Sequence, residues 1–304
     1  MSKSTISTFQ LFEMFPDQES AQIYFEKRRW PDGVICPHCK QNENITPRKN
    51  RYYRCNACKK DFTVRTGTIF ERSHVQLHKW LYAMYLLMTA RKGISSLQLG
   101  KEIGVTQKTA WFMLQRIREA CGNDTAILSG IVEVDEVYIG GKEKNKHEKK
   151  KLRAGRGTVG KAPVVGMRER GGRTKAMPVD GVDSSNLKSV IEDNVLEGST
   201  LHTDEHTGYN ALRGGYWHST VNHGAGEYAR GNVTTNGIES VWAVLKRGVY
   251  GVYHHVSPKH LGRYVNEFTF RLNEGEVQRH TLERLASLTD ACFGSRLTYK
   301  RLIA

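Results

Sequence analysis

GIVEVDEVYIGG, running from Gly130 to Gly141, is the stretch on which the reading of this chain turns. Val132, Val134, Val137 and Ile139 are β-branched and glycines flank the run, which predicts a buried strand. Asp135 stands at its centre, and a carboxylate in a buried strand is costly unless it meets a cation or a polar partner. Working outward, STLHTDE (199–205) is a second strand-like run that closes on Asp204 and Glu205. NGIESVWAVLKRG (236–248) has helical spacing instead. Ile238, Val241, Trp242, Leu245 and Val249 form its apolar stripe, and Asn236, Glu239, Ala243 and Lys246 a second face. Two strand-borne aspartates and a later helix-borne glutamate are a recurring device for holding two divalent metals against a phosphodiester. Lys246 follows Glu239 by two turns, roughly 10 Å along the helix axis, a spacing suited to a phosphate backbone lying across the helix.

The whole chain is consistent with a polyanion partner. It has 304 residues, 38% of them hydrophobic, and a formal net charge of +15. Length allows two or three domains with a sizeable core, and the basic excess makes nucleic acid the first partner to consider. No apolar run approaches the roughly 20 residues of a membrane span, and MSKSTISTFQLFEMF lacks the apolar centre of a secretory signal. The expected location is therefore the cytoplasm, in association with the nucleoid, with no membrane partner.

Six cysteines divide into four and two. Cys36, Cys39, Cys55 and Cys58 form C-x2-C-x15-C-x2-C, the spacing of a structural zinc site in which two tight turns each supply two thiolates. With sulfur at all four positions no coordination site is left for a substrate. His38, inside the first turn, is expected to stay out of the cage, and Cys121 and Cys292 to be buried small residues. Between the turns, Arg48, Lys49 and Arg51 interleave with Tyr52 and Tyr53, a mixture suited to phosphate contact. The run DFTVRTGTIFERS is expected to close the small sheet of this ribbon.

Residues 8–30 predict a short helical opening, and 74–120 read as helical throughout. In GISSLQLGKEIGVTQKTAWFMLQRIREA, Ser95 or Ser96 caps a first helix, Gly104 makes a turn, and Thr106 caps a second helix. Ala110, Trp111, Leu114 and Ile117 are its expected inner face. Gln107, Lys108 and Thr109 then occupy the N-terminal end of that second helix, where base-reading residues of helix-turn-helix motifs sit. Residues 142–161 hold nine cations against Glu143 and Glu148. A charge run is usually a solvated loop, but this one leaves the Asp135 strand directly and is placed to grip DNA through Lys149, Lys150, Lys151, Arg153 and Arg156. Two further strands, a helix capped at Ser184 or Ser185, the Asp204 strand and a short helix over TGYNALRGG complete a β-β-β-α-β-α run, a mixed sheet with helices on its faces. Asn222, His223 and Glu227 lie in a polar loop thereafter.

Taken together, RWPDGVICPHC, YRCNACKKDFTVRTGTIF, GVTQKTAWFMLQRIR, VEVDEVYIGGK, TDEHTGY and TNGIESVWAVLKRGVYG resemble bacterial insertion-sequence DDE transposases that place a zinc ribbon before a ribonuclease-H-like catalytic domain. The resemblance spans residues 15–273 or so, with motif order and spacing agreeing; 34 residues separate Asp204 from Glu239. It implies a multidomain fold: a helical segment 1–30, a small β zinc ribbon 31–72, a helix-turn-helix DNA-binding domain 73–125, an α/β mixed-sheet catalytic domain 126–275 with the basic loop 142–161, and a helical tail 276–304. It implies catalysis by Asp135, Asp204, Glu239 and Lys246. The three acids would hold two magnesium ions, with manganese as a substitute, beside one structural zinc. The implied partners are double-stranded DNA, both element ends and target, and a second copy of the chain, forming a homodimer on DNA. Other readings of the same residues are a non-catalytic DNA-binding regulator and a nuclease or resolvase that cuts without joining.

Overall fold

The computed structural model describes residues 5–141, 143–152, 157–212, 214–275 and 278–304. Two compact units emerge: Met1–Asn123 with Glu274–Ala304, and Asp124–Asn273.

The first unit opens with α1 (Thr8–Met14) and α2 (Gln18–Arg29), capped by Ser7 and Asp17, each in a capping box that satisfies two of the free helix-end amides. Three short antiparallel strands follow, β1 (Ile45–Arg48), β2 (Tyr52–Cys55) and β3 (Lys60–Phe62). The third is shorter than the sequence leads one to expect. After Phe62 the backbone turns, and Thr63, Thr66 and Thr68 bond locally instead of along a ladder. Next come α3 (Leu77–Thr89), α4 (Ser96–Ile103) and α5 (Gln107–Ala120). Ser95 caps α4, Gly104 ends it in the left-handed region at φ 66°, and Thr106 caps α5. Met113 joins Ala110, Leu114 and Ile117 on the buried face of α5, whereas Trp111 is only partly buried.

Phe25, Phe70 and Trp80 sit at the centre of this unit, with ring centroids 4.8 and 5.1 Å apart. The C-terminal residues return to it: a helix over Thr281–Phe293 packs on α2, α3 and α5, and a last one covers Tyr299–Ile303. Cys121 and Cys292 are both buried.

The second unit is built on a five-stranded sheet. Its strands are β4 (Ile131–Ile139), β5 (Ala162–Glu169), β6 (Thr174–Pro178), β7 (Thr200–Thr203) and β8 (Trp217–Thr220), in spatial order β6-β5-β4-β7-β8. β5 runs antiparallel to both β4 and β6, while β7 and β8 run parallel to β4. Helix α6 (Ser184–Glu192) crosses between β6 and β7, capped by Asp183 rather than by a serine. A carboxylate one residue earlier reaches both Ser185 and Asn186 amides. Two elements were not expected from the sequence. One is the edge strand β8, whose WHST shows no apolar alternation; it follows the short helix expected over TGYNALRGG, which forms as a 3-10 segment, Thr207–Leu212. A two-residue hairpin, β9 (Ala229–Arg230) and β10 (Val233–Thr234), precedes α7 (Asn236–Gly248) and α8 (Pro258–Glu274).

The period of two along β4 sorts side chains to two cores. Val132 and Val134 face Leu187, Ile191 and Tyr209, while Val137 and Ile139 face Trp242, Leu245, Leu261 and Phe268. A mixed sheet with three antiparallel strands leading, two parallel strands following and helices on both faces is a ribonuclease-H-like fold. Asp135 lies on the α7 side of it.

Candidate active site and metal centre

Register brings the two aspartates together. In the β4–β7 ladder Glu133 pairs with His202, so two further steps set Asp204 alongside Asp135 at the C-terminal end of β7. Helix α7 then lies across the same face. The indole Nε1 of Trp242 donates to Asp135 Oδ2 at 2.9 Å, and the Glu136 amide to Asp135 Oδ1 at 2.8 Å. Asp135, Asp204, Glu239 and Lys246 line one cleft of about 410 Å³, together with Glu136, Val137, His223, Thr235, Trp242 and Ala243. Asn236, on the same helical face by spacing, is not among its lining residues.

Burial pushes the Asp135 carboxyl up to about 7, and the neighbouring Glu136 and Asp204 charges push the same way. Such a group favours a cation close by. The oxygens of the three acids are hard donors, the kind magnesium prefers, so the donor set fits that ion. The acids share the cleft without gathering into a single tight sphere: among the described residues only the four cysteines bring three or more ligand atoms within 4.8 Å of one another. Lys246 is exposed and has no ion-pair partner among the described residues.

Several residues that hold this geometry carry no signature in the sequence. Thr235, the N-cap of α7, makes no side-chain capping bond. The cap comes instead from the sheet: buried Glu133 accepts from the Ile238 amide at 3.0 Å and pairs with Arg170 at 2.9 Å. Arg170 also donates to the Asn232 carbonyl at 2.9 Å, tying down the chain that leads into α7. Glu133→Ala removes one partner of a buried pair and a helix cap together. A loss of about 3 kcal/mol is expected in chemical denaturation. Glu133→Gln, which keeps the acceptor, should lose less; equal losses would show that the carboxylate charge, not the cap, is what matters.

Gly166 pairs with Asp135 across β4 and β5. A Cβ there would lie 2.5 Å from Trp242 Cζ2 and 2.9 Å from Ile238 Cδ1. The helix approaches the sheet closely enough for Trp242 to reach Asp135 only because position 166 has no side chain. Gly166→Ala is expected to lower stability by about 1–3 kcal/mol and to alter the near-ultraviolet circular dichroism of Trp242. An unchanged spectrum and melting temperature would refute that account. The signal that could have found it is a glycine inside a strand run, APVVGMRER (162–170), which marks a close backbone approach.

Glu205, beside Asp204, turns away from the acids. Its two oxygens accept from the His223 and Gly224 amides, both at 2.9 Å. That anchors the loop so that His223 Nδ1 stands 3.5 Å from Glu239 Oε1, with Nε2 3.2 Å from the Thr235 hydroxyl. Asn222 and Glu227 are bound within the loop itself.

The four ribbon cysteines form a cage. Cys36 and Cys58 sulfurs are 3.7 Å apart, Cys39 and Cys55 sulfurs 3.5 Å. A tetrahedron with metal–sulfur bonds of about 2.3 Å has edges of roughly 3.8 Å, so the cage fits zinc, and its four sulfurs close it as a structural site. Each Cys-x-x-Cys turn is followed by a left-handed lysine, Lys40 at φ 65° and Lys59 at φ 59°. His38 is exposed and outside the cage.

The remaining predicted contacts are scattered over surfaces. Arg48 and Lys49 border a groove with Tyr52 and Asp61, but Arg51 turns onto Glu26 and Glu19 of α2, at 3.0 and 3.5 Å. Gln107 bonds Ser96 Oγ at 2.8 Å, Lys108 lies over the Tyr299 ring, and Thr109 bonds the Thr106 cap at 2.9 Å. Lys149 is exposed and Lys151 pairs with Glu148 at 2.7 Å. Arg153, Arg156 and the side chain of Lys150 lie outside the described residues. No helix among the described residues is long and apolar enough to cross a membrane.

Comparison with known proteins places these features in company. Residues 127–273 match the ISXO2-like transposase domain, and residues 16–61 the transposase zinc-ribbon domain. A relative from Halobacterium salinarum, described as an uncharacterized protein in transposable element ISH50, is 32% identical over 271 residues, covering 84% of this chain and 91% of that one. Among solved structures, a chain of the simian T-cell lymphotropic virus intasome in complex with PP2A regulatory subunit B56 gamma aligns over 64% of each chain, with 14% identity and a TM-score of 0.27, a likeness too loose to bear on the reading.

Proposed function

The chain belongs to the insertion-sequence transposases that join an N-terminal zinc ribbon to an ISXO2-like transposase domain, and on that premise we propose that it cuts DNA at the ends of its element and joins the freed 3′-hydroxyls to target DNA. The observation that carries this is the single cleft lined by Asp135, Asp204, Glu239 and Lys246, with the Asp135 carboxyl pushed up to about 7. Asp135, Asp204 and Glu239 would hold two magnesium ions, manganese substituting, whose chemistry when bound is to activate the attacking hydroxyl and to stabilise the leaving 3′-oxygen.

The chain's own residues supply positioning and charge. Trp242 and the Glu136 amide orient the Asp135 carboxylate from two sides. Glu133 and Arg170 hold the first turn of α7, and with it Glu239, against the sheet. The Lys246 ammonium meets a non-bridging phosphate oxygen of the strand lying along α7, fixing it for in-line attack. Gln107, Lys108 and Thr109 at the start of α5, with the ribbon cations Arg48 and Lys49, read and grip the element ends. Because two ends must be cut and joined, a homodimer on DNA is the expected assembly.

The test is an assay on duplexes carrying the element's terminal repeats, with and without magnesium. Magnesium-dependent nicking followed by joined products supports the proposal. Nicking without joining would reassign the chain to the nucleases, and binding without nicking to the regulators.

A further inference from the structure

A second cleft adjoins the acidic one within the same unit, and its chemistry is the opposite. It has a volume of about 680 Å³ and is lined by Lys144, Asn145, Lys161, Tyr250, His254 and His255 among others, with no acid among the described residues of its wall. Neither Lys144 nor Lys161 has an ion-pair partner among the described residues, although nearby Lys146 is paired with Glu143 at 2.6 Å. Among the described residues, these two ammonium groups in one concave wall meet no carboxylate.

The aromatic side of this cleft comes from an unusual turn. Helix α7 runs on into a π-helical turn, Val249–Tyr253, which ends at His254 with φ 58° and ψ −40°. π-turns and residues held in rarely populated backbone regions cluster at functional sites. Buried Val249 and the Tyr253 hydroxyl, 2.9 Å from Glu267, pin the turn. Tyr250 lines the cleft while staying 48% exposed, and its hydroxyl donates to the Gly140 carbonyl at 3.5 Å.

The two clefts share elements. On β4, Val137 lines the acidic cleft, while Ile139 and the following Gly140 and Gly141 line the basic one. From Asp135 to Gly140 is roughly 17 Å along an extended strand. On the helical side, Lys246 lines the first cleft and Val249 and Tyr250, about one turn later, the second.

We propose that this cleft is a second nucleotide-binding site, taking an unpaired stretch of the DNA strand that passes through the acidic cleft. Lys144 and Lys161 would contact its phosphates, and Tyr250 with the two histidines would face its bases. A cationic groove combined with exposed aromatic rings is how proteins hold single strands, and the volume is within the range of pockets that enclose small ligands. The assignment rests on the proposed function for the identity of the strand, not for its chemistry.

The experiment measures binding in zinc-loaded, magnesium-free protein, so that it does not depend on cleavage. The probes are a blunt duplex and the same duplex with an unpaired thymidine tail, titrated between about 50 and 200 mM salt. The Lys144→Gln/Lys161→Gln double variant is expected to lower the salt slope on the tailed duplex by about 1.4, two single-strand phosphates at about 0.7 each, and to leave the blunt slope unchanged. Lys144→Gln alone, at an exposed position, should take half of that effect, and Tyr250→Ala should weaken tailed binding about tenfold. An unchanged slope on the tailed duplex overturns the site. An equal fall on both duplexes overturns its assignment to an unpaired strand. Magnesium-dependent nicking by wild-type protein is scored separately: its absence would remove the proposed function while leaving the binding result standing.

Discussion

Asp135→Asn is expected to abolish end cleavage, by about a thousandfold or more, while leaving DNA binding unchanged. Replacing the carboxylate by an amide of the same shape keeps the acceptor for Trp242 but removes a hard anionic ligand from the centre of the cleft. Loss of several kcal/mol of charge stabilisation in the transition state corresponds to a rate loss of that size. The same substitution should act on stability in the opposite direction. The Asp135 carboxyl titrates at about 7 against an ordinary value of 3.8. Between those values the native state binds more protons than the unfolded chain, so stability falls as pH rises through the window. In magnesium-free protein at pH 8 the asparagine variant should therefore be the more stable, by on the order of 2–4 kcal/mol. That advantage should vanish below about pH 4, where both states hold the proton. Added magnesium should narrow it at pH 8 by stabilising the wild type alone. Near-normal cleavage by the variant, measured on labelled end duplexes, would remove Asp135 from the catalytic set.

Removing zinc is expected to unfold the ribbon while the sheet of the second unit survives. Strands of four, four and three residues cannot bury enough apolar surface to hold themselves. Their packing amounts to Trp30, Tyr53 and Phe62, with Tyr53 and Phe62 stacked at 5.6 Å, around the buried sulfurs of Cys36 and Cys55. A structural zinc site contributes about 10–16 kcal/mol in small peptides, far more than that cluster supplies. Chelation, or Cys55→Ser, should open residues 36–62 to hydrogen exchange and weaken binding to element ends. Amides of β4 and β5 should stay protected, because they lie in a separate compact unit with its own two cores. Persistent protection of Tyr52–Cys55 after complete zinc removal would show that the metal is dispensable to the fold.

What could be read from the sequence is what depends on local order. The cysteine spacing specifies two tight turns and hence a four-sulfur cage. The β-branched run around Asp135 specifies a strand with a carboxylate in it. The apolar stripe Ile238, Val241, Trp242, Leu245 and Val249 specifies which side of α7 is buried, and all five are. Where the local signal was thin, the reading missed: WHST has neither alternation nor length to announce an edge strand, and a cap one residue before Ser184 could not be told from a cap at it.

Tertiary structure alone decided how the cleft is held together. Glu133 caps a helix 103 residues later through the Ile238 amide at a distance of 3.0 Å, a bond that no pattern in either segment encodes. Glu205, adjacent in sequence to an acid of the cleft, anchors a loop instead, because the backbone turns between them. Gly166 matters for the side chain it lacks, which becomes visible only when Trp242 lies over it. Periodicity and spacing report how each segment meets its neighbours along the chain. Contacts between segments far apart are fixed by which faces pack, so the cleft, its supports and the basic pocket beside it appear only once the sheet and α7 have come together.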